Sequence, residues 1–378
     1  MSETAQKPTI RFKGFTDPWE QRKLGESVPI IMGQSPDGST YSDKPSDYIL
    51  VQGNADLENG WVKPRVWTTQ KTKCGSAGDL IMSVRAPAGT MGKTRFDVVL
   101  GRGVAAIRGN EFIYQLLVKK DIDGYWKRLS AGSTFESLNS DTIYNAEIIA
   151  PESDEQKKIG ELFELFDSLI TLHQRKYEKL VDVKKALLEK MFPADGENVP
   201  QIRFRGFTDP WEQRNLGSEA EELLAGGDID KDLISESGRY PVIANALTND
   251  GIVGFYEKNY RVEAPAVTVT GRGDVGHAQA RRVNFTPVVR LLSIKSNHDV
   301  DFLENAINRG EVIIESTGVP QLTIPQLSKR IISFPQIMQE EEKIGKLFFK
   351  LDNLITLYQR KLEKLKNIKK ALLDKMFV

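Results

Sequence analysis

The chain has 378 residues, of which 40% are hydrophobic and 28% are charged, and its 52 Lys and Arg residues balance 52 Asp and Glu residues. This balance excludes binding of nucleic acid by bulk charge alone, although it permits local basic patches. The length suggests two or three domains. A single cysteine excludes a disulfide framework, and without an apolar run of roughly 20 residues or a signal segment we expect a soluble, cytoplasmic protein.

The amino-terminal segment of the chain occurs twice. Residues 10–25 read IRFKGFTDPWEQRKLG and residues 202–217 read IRFRGFTDPWEQRNLG, so 14 of 16 positions are identical. The Asp-Pro-Trp step resembles the Asp/Asn-Pro-Pro-aromatic loop of amino-methyltransferases but lacks the second proline. A helix start explains it better, with Asp17 as the N-cap, Pro18 at the first helical position and Glu20 completing a capping box.

The segment that follows each copy is predicted to mix strands and turns. Short aliphatic and β-branched runs bounded by turn-forming residues are typical of strands. In the first segment they are 48–51, 79–84 and 98–100, and in the second they are 241–244, 266–270 and 288–292. A helical stretch follows each set, near residues 112–128 and 301–309. We therefore predict one α+β fold in two diverged forms.

Basic residues concentrate in the same part of both segments. Residues 63–108 contain nine Lys or Arg against two Asp, and residues 261–295 contain six against two acidic residues. Both windows surround a Gly-x-x-Gly turn, at 89–92 and 273–276, which lets the backbone approach a ligand closely. One basic face per repeat on a neutral chain is typical of a duplex-DNA reader. A solvated, strand-rich surface is the plainer alternative.

Each half ends in a 38-residue segment, 155–192 or 340–377, and the two segments agree at 25 positions. In the first copy, apolar or aromatic residues and one histidine recur every three or four positions: Ile159, Leu162, Phe166, Leu169, His173, Tyr177, Leu180, Val183, Leu187 and Met191. Such spacing predicts an amphipathic helix. At 1.5 Å per residue it is about 57 Å long, which is longer than the core of one small domain. We predict that the two helices pair antiparallel as a coiled-coil spacer; two separate helices, each on its own domain, are the alternative.

These features divide the chain into four parts. We predict a first globular domain at residues 1–152, a spacer helix at 153–192, a second domain at 193–337 and a second spacer helix at 338–378. The linker 193–200, PADGENVP, marks the boundary between the halves. The predicted fold class is α+β, with two domains of mixed strand and helix joined by two long antiparallel helices in a pseudo-two-fold internal repeat.

The sequence contains no convincing catalytic, cofactor or metal site. Residues 89–94, GTMGKT, resemble the end of a phosphate-binding loop, but Pro87 stands where that loop needs glycine. The three histidines are widely separated and lack metal-ligand spacing, and Cys74 has no histidine near it in the sequence. We therefore predict a chain without catalysis.

In the order of its motifs, the sequence resembles the specificity subunits of bacterial type I restriction-modification systems over nearly its whole length. The resemblance is carried by the repeated GFTDPWEQR opening, the segments GDLIMSVRAPAGTMGK and APAVTVTGRGDVGH, the loops STFESL and STGVPQL, and above all the twin helices. It implies that each globular domain is a target recognition domain that reads one half of a bipartite, asymmetric DNA sequence. The helices would then fix the distance between the half-sites and dock methyltransferase subunits.

The same resemblance implies the partners of the chain. Two methyltransferase subunits would bind S-adenosylmethionine and methylate adenine, and restriction subunits that use ATP and Mg²⁺ would translocate and cleave unmodified DNA. The specificity chain would bind double-stranded DNA in the bacterial cytoplasm, with no cofactor, metal or membrane contact of its own. An interaction scaffold with two protein-binding domains on a coiled-coil spacer stays the alternative, whereas a self-contained methyltransferase is disfavoured by the missing cofactor loop.

Charge, turn context and the matched loops suggest which residues contact DNA. Arginine and lysine neutralise phosphates, arginine, asparagine and glutamine read base edges, and hydroxyl groups donate to phosphate. In the first domain the candidates are Gln34, Ser35, Arg85, Lys93, Arg95, Ser133 and Thr134. In the second they are Asn245, Arg272, Arg281, Ser316, Thr317 and Gln321.

Overall fold

A computed structural model describes residues 7–130, 137–310 and 320–378. The chain forms two compact units: unit 1 is Met1–His173 with Lys361–Val378, and unit 2 is Gln174–Arg360. The domain boundaries expected from the sequence stay predictions, because the units divide the chain within the two long helices rather than at their ends.

Unit 1 contains three sheets in its described residues. Its strands are β1 (Glu20–Lys23), β2 (Ile30–Met32), β3 (Tyr41–Ser42), β4 (Tyr48–Val51), β5 (Leu57–Glu58), β6 (Trp61–Val62), β7 (Val66–Thr68), β8 (Cys74–Gly75), β9 (Leu80–Ser83), β10 (Met91–Lys93), β11 (Val98–Leu100), β12 (Val104–Ile107) and β13 (Glu147–Ala150). Its helices are α1 (Leu24–Ser27), α2 (Glu111–Ile122), α3 (Tyr125–Ser130), α4 (Ser140–Tyr144) and the start of α5 (Ser153–Met191). The sheet orders are β2-β12-β9-β10-β6-β5, β3-β7-β4-β11-β8 and the pair β1-β13.

Unit 2 repeats this plan with fewer strands. Its strands are β14 (Glu212–Asn215), β15 (Ala220–Ala225), β16 (Tyr240–Ile243), β17 (Ile252–Tyr256), β18 (Ala266–Thr270), β19 (Ala278–Arg281), β20 (Thr286–Pro287), β21 (Leu291–Ser296) and β22 (Ile331–Phe334). Its helices are α6 (Leu216–Glu219), α7 (Val300–Arg309), α8 (Ile324–Ser328) and most of α9 (Met338–Met376). The sheet orders are β15-β21-β18-β19, β17-β16-β20 and the pair β14-β22.

The two units share one topology. The order β2-β12-β9-β10 in unit 1 matches β15-β21-β18-β19 in unit 2, and β7-β4-β11 matches β17-β16-β20. The parallel pairs β4–β11 and β16–β20 match as well. Unit 1 adds β3, β8 and the β5–β6 hairpin to this common plan. The predicted α+β fold in two diverged copies is therefore confirmed.

In unit 1 the two long helices run antiparallel. Phe163 of α5 packs against Phe377, which follows α9, with ring centroids 5.6 Å apart. One turn further along α5, Asp167 accepts a hydrogen bond of 2.5 Å from Lys369. Rising residue numbers on α5 therefore meet falling numbers on α9, as the long apolar seam predicted.

Unit 2 pairs the other ends of the same helices in the same way. Lys184 of α5 donates a hydrogen bond of 2.6 Å to Asp352 of α9. Phe192, just beyond α5, lies 6.1 Å from the Phe348 ring between centroids. Because a helix partner lies along each seam, the alternative of two separate helices is wrong.

Equivalent aromatic clusters and buried ion pairs hold each core together. In unit 1 the rings are Trp19, Phe112, Phe163 and Phe377, and in unit 2 they are Trp211, Phe302, Phe348 and Phe192. Arg11 donates two hydrogen bonds to Glu155, at 2.6 and 2.7 Å, and Arg203 donates two to Glu340, at 2.6 and 2.8 Å. Both carboxylates are only 1% exposed, so the repeated opening segment is fixed to the start of each long helix.

Two local predictions fail. Asp17 and Pro18 do not start a helix, because Glu20 begins β1 and pairs with Ala150. Burial of Trp19 in the aromatic cluster, where it is 4% exposed, outweighs the local capping pattern. The predicted strand 288–292 is also wrong at its start, since β20 ends at Pro287 and β21 begins at Leu291.

Candidate nucleic-acid interface

Several loops of unit 1 meet where β2, β4 and β9 end. The surface they form, termed end surface 1, consists of residues 33–35, 51–53, 84–89, 101–103 and 137. Gly101 donates its N–H to the Val51 carbonyl, and Val84 donates to the Gly103 carbonyl, both at 2.8 Å. A Cβ on Gly103 would lie 2.0 Å from the carbonyl oxygen of Gln52. Glycine therefore lets these backbones pass close together, and the loops form one continuous surface.

The matching loops of unit 2 form end surface 2, which consists of residues 226–227, 243–245, 271–276, 288–290 and 321. Val288 donates its N–H to the Ile243 carbonyl at 2.8 Å, and Leu322 donates to the Gly271 carbonyl at 2.9 Å. A Cβ on Gly271 would lie 2.2 Å from the carbonyl oxygen of Arg290. The two surfaces thus use the same construction with different side chains.

Arg85 and Arg272 occupy the same place on the two surfaces. Each follows the end of the central strand, β9 or β18, by two residues, and each side chain is exposed. Arg85 forms an isolated antiparallel bridge with Ser137, and Arg272 forms one with Gln321. Among the residues that the structure describes, neither guanidinium has an ion-pair or hydrogen-bond partner. Within the described residues, both side chains are thus exposed cations at the end of a central strand.

In the turns beside these arginines, the glycines that correspond between the two units are not the ones that the sequence pattern paired. Gly89 donates its N–H to Ser83 at 2.8 Å, and Gly276 donates to Thr270 at 2.7 Å. Their φ angles of +104° and +89° lie in the left-handed region, which favours glycine. The structure thus matches Gly89 with Gly276, whereas the Gly-x-x-Gly pattern matched it with Gly273.

Gln34 and Ser35 lie on end surface 1, and their contact with DNA stays a prediction. Gln34 is exposed. The Ser35 hydroxyl accepts hydrogen bonds from the backbone N–H and Nε of Arg102, at 3.1 and 3.3 Å. Arg102 therefore belongs to the same surface, although sequence reasoning did not select it from the nine cations of its window.

Asn245 and Gln321 lie on end surface 2, but both amides already have partners. Asn245 accepts from the Gly271 N–H at 2.8 Å and donates to the Val289 carbonyl at 3.0 Å, so it clamps two loops together. The Gln321 side-chain oxygen accepts from Arg290. Arg290 has a φ of +73°, a backbone conformation that no sequence pattern indicated.

Lys93 and Arg95 are not brought to end surface 1. Lys93 pairs across the sheet with Leu80, at the opposite end of β9 from Arg85. Its ammonium forms an ion pair of 2.9 Å with Glu111 and lies 5.0 Å from the Trp61 ring centroid. The Arg95 guanidinium lies 4.1 Å from the same ring.

Arg281 likewise lies at the far end of its hairpin, across from Ala266. Its guanidinium donates to Thr268, to the Asp250 carbonyl and to Gln279, at 2.7 to 2.9 Å. Burial lowers the pKa of Arg281 to about 10. These contacts make Arg281 a structural residue of the hairpin.

The four hydroxyl candidates Ser133, Thr134, Ser316 and Thr317 lie outside the described residues. Their roles stay predictions.

Two further properties concern the described residues as a whole. No group of three or more His, Cys, Asp or Glu side chains among them is arranged to hold a metal ion. None of the helices in this part of the chain combines the length and apolarity that a bilayer span requires.

A family model described as the type I restriction modification DNA specificity domain matches residues 16–181 and again residues 208–367. Together these matches cover most of the chain, which therefore belongs to this family and carries its domain twice. Each match contains one end surface and part of one long helix.

Two relatives that are 29% and 23% identical agree with this assignment. A Methanocaldococcus jannaschii protein named as a specificity subunit of the type I restriction enzyme MjaX is 29% identical over 180 residues, which are 45% of this chain and 41% of that protein. The MjaIX specificity subunit of the same organism is 23% identical, with 79% of this chain and 76% of that protein aligned. The first relative is thus matched over less than half of its length.

A solved structure shares the fold. The crystal structure of a type I restriction-modification S subunit from M. genitalium superposes with a TM-score of 0.71 at 15% identity, covering 98% of this chain and 99% of that one. At this identity the likeness concerns the fold alone.

Proposed function

We propose that this chain recognises a bipartite sequence of double-stranded DNA as the specificity subunit of a type I restriction-modification system. End surface 1 reads one half of the sequence and end surface 2 reads the other. The family description supports DNA as the ligand, and the two domain copies support two half-sites. The observation that carries the proposal is the pair Arg85 and Arg272, exposed at matching places amid neighbours that differ.

The chemistry of the two surfaces suits recognition of unlike half-sites. A free guanidinium fork donates two parallel hydrogen bonds to a phosphate or to O6 and N7 of guanine. Around Arg85 the fork is joined by Gln34 and by Arg102 beside Ser35. Around Arg272 the neighbours are Arg290 and Gln321. Because these donor and acceptor patterns differ, the two halves of the recognised sequence should differ too.

The long helices supply surface for partner subunits. In unit 1, Leu165 and Leu172 on α5 are 56% and 47% exposed, and in unit 2, Leu354 and Leu357 on α9 are 41% and 44% exposed. Exposed leucines at this spacing are suited to a protein interface. Two methyltransferase subunits would bind there, with their S-adenosylmethionine, and restriction subunits with ATP and Mg²⁺ would join them in the bacterial cytoplasm. The chain itself would contribute recognition and no catalytic step.

The proposal is tested by expressing the chain with its methyltransferase partner in an unmethylated host and mapping modified adenines across the genome. We expect one split motif with two unlike halves. Modification without a motif, or a complex with no affinity for duplex DNA, would contradict the proposal and favour the protein-interaction scaffold.

A matched charge control strengthens this test. The double variant Arg85→Ala/Arg272→Ala should lose specific binding in a competition assay against duplex lacking the motif. Lys13→Ala/Arg205→Ala removes two exposed cations at matching positions of the repeated opening segment and should retain it. Equal losses in both double variants would show that only bulk charge matters.

A further inference from the structure

A groove lies beside Arg85 in unit 1. It has a volume of about 440 Å³, and its lining includes Gln52, Asn54, Arg65, Arg85 and Pro87. Because Arg85 also belongs to end surface 1, the groove borders that surface. Arg65 comes from the segment between the β5–β6 hairpin and β7. Two arginines therefore line one concave space.

Arg65 is held in place by a buried carboxylate. Its Nε donates a hydrogen bond of 3.0 Å to Asp56, whose side chain is 2% exposed, whereas the Arg65 side chain is 55% exposed. The second oxygen of Asp56 accepts from the Gln52 and Gly53 N–H groups, at 2.7 and 3.3 Å. Asp56 thus accepts from the Nε–H of Arg65, and no described residue accepts a hydrogen bond from the two terminal nitrogens of the fork.

The remaining lining distinguishes a base edge from a phosphate. Gln52 and Asn54 add side-chain amides, which offer acceptor oxygens as well as donors. A phosphate presents acceptors alone, whereas a G·C pair presents O6 and N7 acceptors beside an N4 amino donor in the major groove. A groove with two guanidinium forks and amide oxygens is complementary to the mixed pattern.

We infer that this groove is a second base-reading subsite of unit 1, in which Arg65 donates to O6 and N7 of a guanine and Asp56 is the positioning residue. This inference rests on the proposed function and adds a base pair to the half-site that Arg85 reads. Unit 2 has no counterpart among its described residues, because only residues 244–251 connect β16 to β17, whereas 52–65 connect β4 to β7. The added base pair therefore belongs to one half of the sequence alone.

The experiment uses the full chain with its methyltransferase partner and a set of duplexes in which each base pair of the mapped motif is replaced in turn. Arg65→Ala and Arg65→Lys should bind the intact motif about 5- to 150-fold more weakly, as expected for loss of one bidentate base contact. Both should lose discrimination at a single G·C position in one half of the motif. Asp56→Asn should weaken discrimination at that same position, with a smaller loss of affinity.

Lys63→Ala is the matched control. Lys63 lies two residues from Arg65 and forms an ion pair of 3.0 Å with Glu58, with both side chains more than half exposed. This variant removes the same charge from the same segment and should leave affinity and motif unchanged. Arg65→Lys keeps the charge and the fold, so a defect in it identifies the fork geometry itself.

Three results would overturn the inference. Arg65→Ala could weaken binding equally for all duplexes and lower the salt dependence by about one phosphate contact, which would make Arg65 a phosphate ligand. Lys63→Ala could match Arg65→Ala, or Arg65→Ala could behave as the unchanged chain. In each case the proposed function is retained if the unchanged chain, with its methyltransferase partner, still directs methylation to a split motif. If no motif is found, the proposed function itself is wrong.

Discussion

Units 1 and 2 share a framework but differ in what the framework carries. The same strand order, aromatic cluster and buried Arg–Glu pair occur in both. Arg85 and Arg272 also match, yet the side chains around them do not. The repeated segments therefore build the shared packing, whereas the divergent segments supply the side chains that differ between the two end surfaces.

The units also differ in the ionisable groups beside their long helices. In unit 2, His298 lies between Glu341 and Glu219, at 2.9 and 3.1 Å, whereas in unit 1 the uncharged Asn110 donates to Gln156 at 2.9 Å. Phe112 in α2 and Phe302 in α7 are the matching rings of the two aromatic clusters. Two residues after them, unit 1 has Tyr114 and unit 2 has Glu304. Unit 2 should therefore depend on pH more strongly than unit 1.

The largest expected effect tests what the units share. Arg11→Ala in unit 1 and Arg203→Ala in unit 2 each leave a carboxylate that is 1% exposed without its cation. Breaking such a buried pair costs about 3–5 kcal/mol, and the cost should be similar in both units. Hydrogen exchange resolved along the chain, combined with urea unfolding, measures it for each unit.

The control for this pair is Arg22→Ala, whose partner Glu20 is 60% exposed and whose loss should change stability little. A large loss in one unit and none in the other would show that the matching pairs do not play matching roles.

A smaller effect of opposite sign is expected from Glu304→Gln. Burial raises the pKa of Glu304 from 4.5 to about 7, so the folded state loses stability as the pH rises through that range. Removing the charge should stabilise unit 2 by on the order of 1–3 kcal/mol at alkaline pH, because glutamine can still accept from the Ala280 N–H. Urea unfolding at several pH values measures the gain.

Glu304→Gln should not change the stability of unit 1. It should not raise the stability of unit 2 at pH values below the ordinary pKa of glutamate. A gain that is the same at acidic and alkaline pH would contradict the electrostatic cause.

The smallest effect concerns His298. Burial disfavours its cation, but hydrogen bonds and charge attraction from Glu341 and Glu219 outweigh burial and raise the pKa of His298. A raised pKa in the folded state stabilises unit 2 fully below the ordinary pKa of about 6.5 and ceases to do so as the pH rises through the raised value. Protection of unit 2 from hydrogen exchange should therefore fall over that range.

His298→Gln should make this fall smaller and leave the part that Glu304 causes, and the double variant His298→Gln/Glu304→Gln should remove most of it. An unchanged pH profile in His298→Gln would place the titrating group elsewhere.

Much of the framework could be predicted from the sequence. The three- and four-residue spacing of apolar residues predicted α5 and α9. Because their apolar seam is longer than the core of one domain, an antiparallel partner helix was predicted too. Short aliphatic runs predicted β4, β9, β16 and β18 to within one or two residues. Local patterns failed where distant contacts decide the structure, as at Asp17, where burial of Trp19 favours a strand.

The candidate surface was predicted less well than the fold. Arg85 and Arg272 follow a predicted strand, so their place at its end could be anticipated. Lys93 and Arg281 looked equally basic, yet their partners Glu111 and Asp250 come from distant parts of the chain. Arg65 pairs with Asp56, which is only nine residues away but lies in a different turn of the same connection. Charge in a sequence window does not reveal which cations folding neutralises.

The assignment of one half-site to each end surface is tested most directly by mapping methylated adenines for Arg85→Ala and Arg272→Ala with the same methyltransferase partner. Each variant should relax the motif in one half only, and the two variants should relax opposite halves. Two variants that relax the same half, or that lower methylation evenly without changing the motif, would contradict the assignment of one half-site to each end surface.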